Sequence, residues 1–166
     1  MEWMLMPLRR YAEFSGRSRR KEYWMFALLL VLIYLVFAVL MVTVGAGAFM
    51  AMAAGGGGLA AGALGGGAML VFGLFAIFIL AIIIPSIAVA VRRLHDTDRS
   101  GWWILLPLVP NVLGIVAGDG AIAMILSVVS FGLSIALLVF YCLPGTRGPN
   151  RFGADPKGEN LSDVFA

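Results

Sequence analysis

The sequence predicts an all-α membrane protein with four transmembrane helices in two helical hairpins. Both termini lie on the inner side, and a short N-terminal interfacial helix precedes the first span. Three observations predict this. Tyr23 to Val91 runs for 69 residues without an Asp, Glu, Lys or Arg, and Ser100 to Thr146 carries a single one, Asp119. Charged residues make up 13% of the 166-residue chain, against roughly 25% in soluble domains, and 61% of it is hydrophobic. All twelve Lys and Arg fall in three islands: six in a leader, three in a mid-chain knot and three in a tail. Charge is costly inside hydrocarbon, so the islands must sit at its edge.

The chain reads as one membrane domain, 1–166. The leader, 1–23, begins with a mixed stretch in which Leu5, Leu8 and Ala12 share one helical face, as in a helix lying in the headgroup layer. Ser15-Gly16 breaks it, and Ser18 is placed to cap the next helix. Tyr23 and Trp24 then mark the interfacial level of the first span, 24–44. That apolar core of 21 residues exceeds the 7–15 of a signal-peptide core, so it is expected to be a retained helix.

Residues 45–67 hold ten glycines, mostly among alanines, and are expected to form a flexible outer loop, with extension of either flanking helix into part of the run as the alternative. The second span, 68–91, contains Pro85, which should kink it or free a carbonyl that Ser86 can satisfy. The third, 102–117, is interrupted by Pro107, Pro110 and Asn111 and reads as a short bent crossing or a re-entrant hairpin. Parity favours crossing, because the tail cations Arg147, Arg151 and Lys157 then share a side with the others. Gly118-Asp119-Gly120 turns the chain into the fourth span, 121–143. Ser127, Ser130 and Ser134 line one face of that span and suit close helix packing. The tail, 144–166, alternates glycine and proline with cations and reads as successive turns. Arg17-Ser18 before Tyr23-Trp24 and Arg99-Ser100 before Trp102-Trp103 give a weak internal repeat, fitting two parallel hairpins.

A net charge of +3 in a soluble chain would hint at nucleic acid. Here the cations flank apolar runs, and orientation by the positive-inside rule accounts for them, so no nucleic-acid partner is expected. The lone Cys142 excludes an internal disulfide and a multi-cysteine metal site. The lone His95 is too few for a His-Asp metal hydrolase, and the chain has no acyl-transfer triad and no phosphate-binding glycine loop. The expectation is no enzyme, no cofactor and no metal.

Three inner-side segments carry a resemblance. They are Phe14-Ser15-Gly16-Arg17-Ser18-Arg19-Arg20-Lys21-Glu22-Tyr23-Trp24, the knot Arg92-Arg93-Leu94-His95-Asp96-Thr97-Asp98-Arg99-Ser100-Gly101-Trp102-Trp103, and Pro144-Gly145-Thr146-Arg147-Gly148-Pro149-Asn150-Arg151-Phe152-Gly153. Together they resemble the "domain of unknown function 805" family of small bacterial inner-membrane proteins. The resemblance implies a multi-span protein of the bacterial inner (plasma) membrane and implies no activity; the cytoplasmic placement of both termini is expected from the basic islands. One departure is Asp98, where the family more often has glycine.

The three polar segments should converge on one membrane face. Arg17, Arg19, Arg20, Arg92, Arg93, Arg99 and Arg151 would then ring a site, with His95, Asp96 and Asn150 in it and Trp24, Trp102 and Trp103 as walls. Asp96 should pair with Arg92, Arg93 or Arg99. Arginine's planar fork suits phosphate or carboxylate. The plainer reading is orientation plus attraction to anionic lipid, at about 1 kcal/mol per cation near the surface. The function expected is therefore that of a structural or interaction protein in the membrane, with homo-oligomers and anionic lipids as partners. The alternative is a binding module for an anionic lipid headgroup or phosphorylated ligand at the Arg/Trp site. A further alternative is a small transporter or channel, resting on Pro85, Asn111 and the serine face.

Overall fold

A computed structural model describes residues 2–55 and 58–158, with the backbone alone for residues 59–61, 63 and 64. Its regular structure is helical. The elements are α1 (Glu2–Arg9), α2 (Arg20–Ala53), α3 (Gly58–Asp96), a 3-10 helix (Gly101–Leu105), α4 (Leu108–Ala117) and α5 (Ala121–Cys142), with no strand among the described residues. Among the described residues, three helices are long and apolar enough to cross a bilayer: α2, α3 from Gly65 onward, and α5.

The stretch 45–67, expected as a loop, is mostly helix. α2 continues to Ala53 and α3 begins at Gly58, with Gly55 at φ 71° just past the end of α2. Of the four consecutive glycines, Gly56 and Gly57 lie outside the described residues. The physical reason is the company the glycines keep. This run offers backbone groups no polar side chains, and in apolar surroundings an unpaired backbone group costs several kcal/mol. A glycine in a helix costs only about 1 kcal/mol, and the alternating alanines are the best helix formers.

The chain divides into two compact units, Phe26–Ile84 and Met1–Met25 with Pro85–Ala166. In the first, Tyr34 and Phe37 of α2 interleave with Phe75 and Phe78 of α3. Ring centroids lie 5.0 Å apart for Phe37–Phe75 and 6.1 Å for Tyr34–Phe75. Such tilted and edge-on pairs contribute about 0.5–1.5 kcal/mol each beyond the area they bury.

In the second unit, α4 packs against α5. The expected span 102–117 is broken as its prolines suggest: a 3-10 turn runs to Leu105, and α4, about 15 Å long, starts after Pro107. The two arms run antiparallel. Trp103 meets Phe140, Pro107 meets Ser130, and Gly114 faces Ala123 and Leu126. The serine face of α5 is used inside this hairpin: Ser130 Oγ donates to the Pro107 carbonyl at 2.8 Å, and Ser127 and Ser134 donate to their own helix. The two hairpins share little beyond their order, since α2 and α3 have 34 and 39 residues and α4 has 10. Leu94, Leu137 and Tyr141 form a small core, with Tyr23, Ala90, Ile104 and Phe140 packed on it.

The helical reading of the Gly/Ala run makes a testable statement. In detergent micelles, backbone amides of residues 45–53 should resist hydrogen–deuterium exchange for minutes or longer. Complete exchange within seconds would restore the flexible loop.

Candidate functional site: an interlocked polar layer

Asp96 ends α3, where the chain leaves the apolar run. Its carboxylate is almost fully buried and accepts two arginines. Arg17 approaches Oδ1 at 2.9–3.0 Å, and Arg93, one turn back on α3, pairs with Oδ2. Arg17 continues into the tail, donating from Nη1 to the Gly148 carbonyl at 2.7 Å and from Nη2 to the Thr146 carbonyl at 2.5 Å. Thr146 N–H donates back to the Asp96 carbonyl at 2.8 Å. Arg93 donates to the carbonyls of Tyr141, at 3.1 Å, and Leu143. These carbonyls close α5, where helix geometry leaves acceptors unpaired and the dipole favours a cation. One carboxylate thus joins leader, knot, tail and the end of α5.

Gly145 is part of the same joint. A Cβ there would overlap the Asp96 carboxylate. The tail can pass so close only because this position has no side chain.

A second buried ion pair lies beside the first. Arg92 is fully buried, 3.3 Å from Glu22, which is also buried. Ser18 is buried too, and its N–H donates to the Arg92 carbonyl at 3.1 Å. Ser18 therefore fastens the leader to α3 rather than capping α2, which begins at Arg20. Ser18 Oγ, Glu22 Oε1 and both Nη atoms of Arg92 make no hydrogen bond among the described residues, so this pair is held by charge and packing. Nearby, Glu13 is held below the usual carboxylate range by its hydrogen bond from Arg10, with Arg92 adding to the effect.

The tail is pinned at three further points. His95 Nδ1 sits 3.2 Å from the Gly16 carbonyl, so that nitrogen carries the proton, and the ring stacks on Phe152 at 3.9 Å. Asn150 Nδ2 donates to the His95 carbonyl and to Thr146 Oγ1, at 2.9 and 3.0 Å. Asp155 accepts from the backbone N–H of Lys157 and of Gly148, which lowers its pKa. Gly148 and Gly153 take positive φ, as expected of successive turns. Asp98 has φ 57° and its carboxylate meets Arg151 at 3.1 Å in an exposed pair. A left-handed residue in this turn explains why glycine would serve there equally well.

The structure brings Arg17, Arg92, Arg93, His95, Asp96, Asn150 and Arg151 together, yet not as the rim of an open Arg/Trp pocket. Arg17, Arg92 and Arg93 are buried and consumed by internal partners. An ion taken from water costs several kcal/mol unless acceptors surround it, so these cations have closed around carboxylates and carbonyls. Arg99 bonds the Thr97 carbonyl and lies 4.0 Å over the Phe140 ring. Trp103 meets the edge of the same ring. Trp102 is exposed and lines an apolar groove of about 470 Å³ with Phe14, Ile87 and Leu105. Trp24 packs edge-on against Tyr23. Arg20 is exposed and reaches the Cys142 carbonyl at 2.9 Å, and Arg19 bonds the Pro156 carbonyl.

Sequence reasoning missed Glu22 and Gly145. Glu22 had a signal: it is an acid directly after Arg19, Arg20 and Lys21, at the mouth of an apolar run. Gly145 had none, because a Pro-Gly pair reads as a turn.

Removing the shared carboxylate should be costly. Asp96→Ala leaves Arg17 and Arg93 buried and uncompensated, and should lower stability by about 3–5 kcal/mol. Gly145→Ala should destabilise in the same direction, while Asp98→Gly should stay within about 1 kcal/mol. Thermal unfolding of the purified proteins in detergent reads all three, and an Asp96→Ala midpoint equal to the parent's would contradict the arrangement.

Comparison with known proteins agrees with the three segments that carried the resemblance. Residues 11–154 match the family described as protein of unknown function, DUF805. Inner membrane protein YhaI of Escherichia coli K12 is 35% identical over 158 residues, covering 95% of this chain and 97% of that protein. Inner membrane protein YhaH of the same strain is 36% identical over 159 residues, covering 96% and 99%. Uncharacterized protein YiiR is 37% identical over 78 residues, 43% of this chain and 52% of its own length. No solved structure matches. The matched region holds the knot with most of the leader's basic stretch and the first part of the tail, and by that match and by likeness over nearly the whole chain to two inner membrane proteins, the chain belongs to the DUF805 family.

Proposed function

We propose that the protein is a four-span scaffold of the bacterial inner membrane, with both termini cytoplasmic, whose inner polar layer fastens its helices into a fixed platform for interaction. The observation that carries this reading is the fate of the arginines. Arg17, Arg92 and Arg93 are spent on Asp96, Glu22 and backbone carbonyls, so their charge serves assembly rather than exchange with a ligand. The same contacts support a non-enzymatic role. His95 is fixed between the Gly16 carbonyl and Phe152, and Asp96 between two guanidinium groups.

Two arguments support four crossings. The first is packing: the arm from Trp103 to α4 follows α5 from Phe140 back to Ala123. α5 has 22 residues and is about 33 Å long, so if it crosses, its partner arm reaches the same depth. The second is charge: four crossings put all twelve Lys and Arg on one side.

Cysteine accessibility in intact cells tests the topology. In a Cys142→Ser background, a cysteine at Gly58 or Asp119 should react with an impermeant thiol reagent added outside, and one at Lys157 should not. Labelling at 157 from outside would overturn the four-span reading. The fastening role has its own readout: Arg92→Ala/Arg93→Ala should unfold at lower temperature with and without added anionic lipid. A loss of stability seen only with lipid present would favour an arginine-lined binding pocket instead.

A further inference from the structure

Two sets stand out among the cations of this layer. Three are buried and paired, as above. Four others, Arg19, Arg20, Lys21 and Lys157, meet with Trp3 around a cleft of about 350 Å³ where α1, the start of α2 and the tail come together. No acid lines it among the described residues. Four like charges repel one another, and nothing in the lining offsets them. They are nevertheless held in place. Arg19 and Lys21 stand 5.7 and 5.5 Å from the centroid of the Trp3 ring, and Arg19 is tied to the Pro156 carbonyl through Nε and Nη2, leaving Nη1 outside those bonds. Arg20 spends Nη1 on the Cys142 carbonyl.

A second cavity of about 390 Å³ adjoins this one, and Arg20 and Lys21 line both. Its other walls are Trp24, Met25 and Cys142, at the ends of α2 and α5. A cationic cleft thus lies beside an apolar groove, with Arg20 and Lys21 common to both and Trp24 in the groove wall. That division of polarity matches one class of molecule. An anion fits the cleft, and a hydrocarbon chain joined to it fits the groove.

We propose that these cavities form a site for a glycerophospholipid with an anionic headgroup, its phosphate held by Arg19, Lys21 and Lys157 over Trp3 and one acyl chain lying along Trp24 and Met25. The site is distinct from the Asp96 joint and goes beyond the scaffold reading, because it requires no particular number of spans. Bulk attraction of basic residues to an anionic surface is the competing account, and it depends on charge count rather than position.

Native mass spectrometry of the full chain in a neutral detergent separates the two. The parent should retain phosphatidylglycerol about tenfold more tightly than phosphatidylethanolamine of the same chain length. Trp3→Ala/Lys21→Gln/Lys157→Gln should weaken phosphatidylglycerol by at least about tenfold. Arg9→Gln/Arg147→Gln removes an equal number of charges from exposed positions outside the cleft and should leave binding within about twofold of the parent. Equal loss in both variants, or no preference for the anionic lipid, overturns the site. Inorganic phosphate displacing phosphatidylglycerol at equal concentration also overturns it, in favour of a free-phosphate site. Should the triple variant unfold early without lipid, Lys157→Gln alone, at an exposed tail position, must still weaken binding; if it does not, the proposal fails.

Discussion

Two arginines share one carboxylate at the end of α3, and the polar layer of the molecule depends on that contact. The Asp96 carboxylate cannot neutralise both Arg17 and Arg93. The surplus positive charge is met by carbonyls of Thr146, Gly148, Tyr141 and Leu143. Two of these belong to the tail and two to the end of α5, so solvating the buried cations requires those segments to be in place. Buried ion pairs add little net stability compared with apolar packing, but breaking one is expensive. The joint therefore acts on specificity: it makes other arrangements of leader, knot and tail costly. The Arg92–Glu22 pair adds a second, neutral fastening beside it.

This division of labour explains why a layer so rich in cations presents few of them for binding. Arginine serves the buried positions, where its planar fork reaches several acceptors at once. Lysine appears at the exposed cleft, as Lys21 and Lys157. Aromatic rings sort the same way. Phe152 and Phe140 cover His95 and Arg99 within the interlocked layer, and Trp3 lies beneath Arg19 and Lys21 at the cleft.

Much of this was legible in the chain. Absence of charge from Tyr23 to Val91 located the long apolar helices, and the three basic islands pointed to one shared layer. Asp96 was correctly seen as the partner of an arginine, Arg93 among those named. Its second partner, Arg17, was hidden by a sequence separation of 79, because ion pairs between distant segments leave no local pattern. The Gly/Ala run misled because propensity was weighed without the apolar surroundings that oblige backbone groups to bond one another. The arginines were expected to line a pocket because sequence reveals charge but not burial. Trp3 and Lys157 lie at opposite ends of the chain, and only folding brings them to one cleft.

The most direct test of the joint is a double-mutant cycle between Arg17→Gln and Asp96→Asn, read as thermal unfolding of the full chain in detergent. If one contact holds leader to knot, the two losses are strongly non-additive, with a coupling of about 1–3 kcal/mol and the double variant little worse than the poorer single one. Losses that add within about 0.5 kcal/mol would show that Arg17 and Asp96 act independently, and the interlocked layer would have to be abandoned.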